Sequence, residues 1–185
     1  DAVKYAASHD VLLVHAAGNS GQNNDKTENY PNDYLGKKGF LFKKKHYASN
    51  WLEIGALSHK TKEDMVASFS NYGKARVDVF SPGVQIYATV PNNEYQYLQG
   101  TSMASPAAAG VAAVIRSQYP ALTAEQVKDI MMKSSDPIDQ IVKKPGTKGA
   151  EKVPFKDLSV SGGTVNLYNA LKMAATVKGK KKILD

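Results

Sequence analysis

The stretch Gly100-Thr101-Ser102-Met103-Ala104-Ser105-Pro106, running on into Ala107-Ala108-Ala109-Gly110-Val111-Ala112-Ala113-Val114-Ile115, decides the reading of this chain. From Met103 to Tyr119 Ala and Val are the dominant residue types, and the stretch is apolar on nearly all sides. That pattern predicts a helix buried at the centre of a domain rather than lying on its surface, with Pro120 ending it. Ser102 sits where a loop turns into this helix. Free backbone N–H groups and the positive end of the helix dipole favour negative charge there. Gly100 lets the chain approach closely, and Pro106 is read as a first-turn proline with no internal hydrogen bond to lose.

Upstream, Asp1 to His9 reads as the end of an amphipathic helix, with Val3, Ala6 and Ala7 on one face and Asp10 breaking it. Val11-Leu12-Leu13-Val14 is an unbroken apolar run, as expected of a parallel strand covered on both faces. It leads into Ala16-Ala17-Gly18-Asn19-Ser20-Gly21, a cluster of small turn residues. Asn19 is thereby presented at the carboxyl end of a buried strand, where α/β sheets place their ligands. Ser102 and Asn19 together point to a nucleophile and a side-chain donor for an oxyanion. Taken singly, Ser102 is an N-cap and Asn19 a turn residue; the pair shifts the balance.

The remaining elements frame these two points. Residues 22–50 are polar, rich in Asn, Asp, Lys and Tyr, and read mostly as loop. Trp51–Leu57 and Val77–Phe80 are strand candidates, joined by a connection in which Ser68, Ser70 and Asn71 offer local hydrogen bonds. Gln85–Val90 and Tyr95–Leu98 flank Pro91-Asn92-Asn93 as a hairpin. Thr123 and Gln126 form a capping-box pair for a further helix. Residues 136–161 look irregular, Gly162-Gly163 precede a last helix over 167–177, and 178–185 form a basic tail expected to fray.

The chain has 185 residues and a formal net charge of +7. Its 24 basic side chains include only two arginines, Arg76 and Arg116. The lysines cluster at Lys37, Lys38, Lys43, Lys44, Lys45 and at Lys178, Lys180, Lys181, Lys182. Specific phosphate and base readout favours Arg, so these are read as a solvated loop and tail and no nucleic-acid partner is expected; an anionic-surface role stays open. There is no cysteine, which excludes thiol catalysis, disulfides and Cys-ligated metals. No apolar run approaches the ~20 residues of a membrane span. The start at Asp1 is read as a cut boundary.

GTSMASP resembles the nucleophile motif of the subtilisin-like serine proteases, the subtilase family, and AAGN resembles their oxyanion-hole motif. FSNYG, VDVFSPG and GGTVNLYNALKMA resemble the family's last core strands and closing segment. The resemblance spans nearly the whole chain, with residues 22–50 matching least and read as an insertion. It implies an α/β, three-layer fold around a central parallel sheet with helices on both faces, present as its C-terminal half over residues 1–177, and suggests a bacterial source. It implies a serine endopeptidase acting through an acyl-enzyme on Ser102, with Asn19 in the oxyanion hole. Ala16, Ala17 and Gly18, with Gly100 and Thr101, are assigned to substrate binding, and the opposite pocket wall falls around Tyr30 to Leu35. Secretion or residence in the cell envelope follows from the family alone.

The family orders its triad Asp, His, Ser, and its aspartate and histidine motifs are absent here. The four histidines, His9, His15, His46 and His59, all precede Ser102 and lack that context. The expectation is therefore an inactive isolated chain, whose acid–base machinery comes from an N-terminal half of the same domain acting as partner. An inactive binding or scaffold module built on the same fold is the alternative. Other catalytic classes fail on residue order: no His follows Ser102, and Ser-x-x-Lys, P-loop and His-x3-His patterns are absent. No cofactor is expected. Asp78 resembles a position that touches a weak cation site in some relatives; a lone Asp beside a strand is also an ordinary turn residue, so no metal is assigned.

Overall fold

Trp51–Leu57 is buried at every position, and the rest of the molecule is laid out around it. The computed structural model describes residues 1–38 and 44–181. Its central sheet has the order β1 (Leu13–Ala16), β4 (Trp51–Leu57), β5 (Val79–Pro82), β11 (Gly163–Thr164), β8 (Asp136–Pro137). The first four run parallel and β8 closes the sheet antiparallel. Three antiparallel hairpins stand apart from it: β2 (Tyr34–Lys38) with β3 (Lys44–Tyr47), β6 (Ile86–Val90) with β7 (Glu94–Leu98), and β9 (Ile141–Lys143) with β10 (Lys152–Pro154). The helices are α1 (Ala2–Ser8), α2 (Thr101–Gln118), α3 (Ala124–Lys133) and α4 (Leu167–Ala174).

Alternation along β4 sorts the two faces, as a strand's period of two requires. Leu52, Ile54 and Ala56, with Val79, meet Ala104, Ala108, Ala112 and Ile115 of α2 and the buried faces of α3 and α4. Leu57 and Phe80 face the other way, into a second cluster with Val66, Val142, Phe155 and Leu158. The layers are thus helices, sheet, and a cover of hairpin and loop segments. Gly55 is required in the middle: a Cβ there would lie 2.5 Å from the Phe80 ring.

Several expectations are corrected. The first strand begins two residues later, after Asp10 at φ 55°, and is half-buried because β4 flanks it on one side only. α2 buries one face only: Thr101, Ala104, Ala108, Ala112 and Ile115 are buried, whereas Pro106, Ala107, Gly110, Ala113 and Val114 are exposed. An all-round apolar sequence has one covered side among the described residues. Pro106 is the sixth helical residue; it deprives the Ser102 carbonyl of its usual i+4 donor. The described part of residues 22–50 is mostly loop, as expected, and also holds the paired strands β2 and β3. The basic tail is pinned as far as Lys181: Gln126 Nε2 donates to the Lys178 carbonyl, Lys180 N donates to Gln126 Oε1, and Lys181 N donates to the Ala121 carbonyl. Lys43 and Lys182 lie outside the described residues.

Candidate active site

β1 and α2 bring the two sequence landmarks together. Gly83 sets the distance between the sheet and the start of α2. Its N–H donates to the Leu57 carbonyl and its carbonyl accepts from Gly100 N, and a Cβ would meet Ala56 Cβ at 2.7 Å and Gly100 O at 2.8 Å. Gly100 then adopts φ 152°, ψ 163°, a conformation essentially reserved for glycine.

Four N–H groups at a helix start have no partner within the helix. Here Thr101 N donates to Asn19 Oδ1 at 2.9 Å, and Met103 N and Ala104 N both donate to the Gly100 carbonyl. The Ser102 N–H is left unpartnered among the described residues. Thr101 Oγ1 also donates to Asn19 Oδ1 at 2.9 Å and accepts from Gly18 N at 3.2 Å. Because Thr101 N can only donate, the Asn19 atom facing it must be the oxygen. Nδ2 is therefore turned away, with no partner among the described residues. The position a Cβ would take on Gly100 lies 3.4 Å from Asn19 Nδ2 and 3.5 Å from Ser102 N. Two free donors converge on one small space that the missing side chain leaves open. Ser102 itself is exposed.

The loop that carries Asn19 is tied down by Asn71. Asn71 N donates to the Gly18 carbonyl, Oδ1 accepts from Ser20 N at 2.9 Å and Gln22 N at 3.0 Å, and Nδ2 donates to Asn24 Oδ1. Asn24 Nδ2 and Asn29 Nδ2 both donate to the Ala17 carbonyl. Ser70 Oγ accepts from Ala56 N across the sheet end. Ser70 Oγ makes a local bond as expected, donating to the Asn71 carbonyl at 2.9 Å, and Ser70 and Asn71 add the long-range bonds that the sequence did not show. Of the residues assigned to substrate binding, Ala16 is half-buried beside the loop, Gly18 takes φ 106°, and Ala17 is fully buried in the second core cluster. Thr101 is 1% exposed, and its hydroxyl positions Asn19 and Gly18. The roles of Asn24, Asn29 and Asn71 were missed; a run of amides around a turn was their one signal.

None of the four histidines bonds to Ser102. His15 Nδ1 pairs with Glu53 Oε2 at 2.9 Å, and His9 Nδ1 bonds the Tyr5 carbonyl. A cavity of about 530 Å³ lies beneath the 24–34 loop, lined among others by Asn29, Asp33, Tyr34, Glu53 and Arg76. Asp33 pairs with Arg76 at 3.1 Å; burial pushes its carboxyl above the ordinary value, with Arg76 opposing.

The sequence matches the Subtilase family over residues 1–166. The chain belongs to the subtilase family. This subtilase chain is 41% identical over 130 residues to subtilisin DY of Bacillus licheniformis, covering 69% of the chain and 40% of that protein. It is 38% identical over 130 residues to a cell wall-associated protease of Bacillus subtilis strain 168, covering 69% of the chain and 12% of that protein. Among solved structures, it overlays the self-cleaved protease domain of PatA with a TM-score of 0.63 at 23% identity, covering 95% of this chain and 54% of that one. The prenylagaramide maturation protease PagA gives 0.62 at 24%, covering 92% and 53%. The subtilase chain described here therefore spans about half the length of these protease domains, and less of the curated relatives. No helix among the described residues is long and apolar enough to cross a membrane.

Proposed function

We propose that this chain carries the nucleophile and oxyanion hole of a serine endopeptidase, with Ser102 as the attacking residue. One observation supports this above the rest: Asn19 Nδ2 and the Ser102 N–H, both unpartnered, border the same space beside Gly100. As Ser102 Oγ adds to a peptide carbonyl, the carbonyl oxygen becomes an oxyanion accepting from both donors. Collapse of the tetrahedral species expels the amine and leaves an acyl-enzyme on Ser102, which water then hydrolyses. Preorganised donors of this kind need no rearrangement as the charge develops. The backbone around Ala16, Ala17 and Gly18, fixed by Asn24, Asn29 and Asn71, would hold the substrate against this site, together with Gly100.

The proton must be taken from Ser102 by a base, and none of the described residues is placed to do so. Family order puts an Asp and a His ahead of these residues, on a stretch of the same catalytic domain. The exposed Pro106, Ala107, Gly110, Ala113 and Val114 face of α2 supports a covering polypeptide at this side. The chain alone is accordingly inactive, and the full protease works outside the cytoplasm, as is common for subtilases. In the full protein, Ser102→Ala should abolish peptide hydrolysis. Turnover by the purified chain alone, lost in Ser102→Ala, would refute the missing base. Unchanged turnover of the full protein in Ser102→Ala would refute the nucleophile.

A further inference from the structure

Away from the catalytic end, the base of the sheet holds a cluster of charge with little water around it. Asp78 is 8% exposed and Glu53 7%. Asp78 Oδ2 accepts from Glu53 N at 2.8 Å. Glu53 Oε2 accepts from Trp51 Nε1 at 2.7 Å and meets His15 Nδ1 at 2.9 Å. Lys128 reaches in from α3. Its ammonium lies 3.0 Å from Asp78 Oδ2 and donates to the Trp51 carbonyl. Asp33, paired with Arg76, adds a further carboxylate to the same field. Burial pushes the Asp78 carboxyl up, and Lys128 opposes that push.

Asp78 is the residue whose resemblance to a weak cation site left a metal in question. With the Lys128 ammonium in place, the donors here do not fit one. Calcium takes six to eight oxygens at about 2.3–2.6 Å. No group of three or more metal-binding side chains is found among the described residues. Asp78 Oδ2 and the Trp51 carbonyl, the two oxygens that converge, already share an ammonium.

We propose that Lys128 is a built-in cation: its ammonium takes the position between Asp78 and the Trp51 carbonyl that an inorganic cation would otherwise fill, so this end of the sheet is held together without a metal. An unpaired carboxylate this deeply buried would carry a large desolvation cost. A tethered ammonium neutralises it at every salt and chelator concentration, because its local concentration does not depend on the solution. The side chain is 17% exposed, its stem covered by the fold and its head delivered to the two oxygens. The same geometry makes the site latent: removing the ammonium leaves Asp78 Oδ2 and the Trp51 carbonyl without the cation they share.

Trp51 is the single tryptophan of the chain and contributes one of the two oxygens, so it can report the site. The test uses the full protein carrying this chain, with terbium as the probe and tryptophan-sensitised terbium emission as the readout. Asp78→Asn serves as the subtraction control. The wild type should show no saturable emission beyond Asp78→Asn, and no more calcium-dependent stabilisation than Asp78→Asn. Lys128→Ala, and Lys128→Met where packing of the stem is needed for folding, should gain saturable emission. They should also gain an upward shift of the unfolding midpoint of a few °C at saturating calcium, both lost in the double variants with Asp78→Asn. Saturable wild-type emission that disappears in Asp78→Asn would overturn the proposal, since the metal would then displace or coexist with Lys128. Folded Lys128 variants that gain neither response would overturn it too. Neither result bears on Ser102.

Discussion

At the residue scale, the site rests on which way one amide points. Thr101 offers two donors to Asn19 Oδ1, from its backbone and its hydroxyl, so the oxygen is held and Nδ2 is freed. Asn19→Ala in the full protease should lower kcat by about 10²–10³ with the unfolding midpoint nearly unchanged; an unchanged kcat would remove Asn19 from the mechanism. Gly100 is constrained twice, by its backbone angles and by the space its missing side chain leaves between the donors. Gly100→Ala should therefore cost stability, by about 1–3 kcal/mol of backbone strain, and also depress kcat. Denaturant unfolding and steady-state kinetics on the same sample check both. The pairing of Ser102 with Asn19 was legible in the sequence, because small residues around a Ser and an Asn at element ends are rare unless backbone must approach something. Thr101 as the brace between them was not, since a threonine beside a helix start reads equally as cap or contact.

At the element scale, capping and turn chemistry were the most readable. The Thr123–Gln126 capping box forms as expected, and Asn92 and Asn93 take positive φ in the β6–β7 turn, as a tight hairpin requires. What the local pattern hid were the long-range ties. Asp10 looked like a simple helix breaker. It also accepts from Ala124 N at 2.6 Å and from Arg116 Nη2 at 2.6 Å, and lies 3.3 Å from Lys181 Nζ. One carboxylate thus joins α1, the first turn of α3, α2 and the tail. Partial burial pushes this carboxyl up, but the Ala124 N–H, Arg116 and Lys181 outweigh it and hold the pKa below its ordinary value. A depressed folded pKa gives stability that is complete above the unfolded pKa, near 4, and is lost as pH falls through the lower folded value. Asp10→Asn should therefore lower stability at pH 7 by about 1–2 kcal/mol, with the gap to wild type closing as the pH falls below about 4. Thermal unfolding across pH 7 to 3 checks this; a gap independent of pH would contradict it.

At the scale of the whole molecule, the parallel sheet was legible from apolar-rich runs such as Val11–Val14 and Trp51–Leu57, the second carrying Glu53 as its one charged position, because strands covered on both faces need few polar positions. The exposure of α2 was not legible: an Ala- and Val-rich sequence does not say which of its faces the described residues cover. Among the described residues β1 has β4 on one side only, and open strand edges invite pairing. The 185-residue chain by itself should self-associate, and should instead form a one-to-one complex when the polypeptide bearing the family's Asp and His motifs is added. Native mass spectrometry distinguishes these, and a stable dilute monomer indifferent to that polypeptide would contradict the expectation. We propose that Ser102 becomes a nucleophile once that polypeptide is in place. The most direct measurement is to treat the active full protein with diisopropyl fluorophosphate and locate the adduct by peptide mass spectrometry. A single adduct on Ser102, absent in Ser102→Ala and formed in step with loss of activity, is the expected result. Inactivation with Ser102 unmodified, or an adduct on another residue, would contradict it.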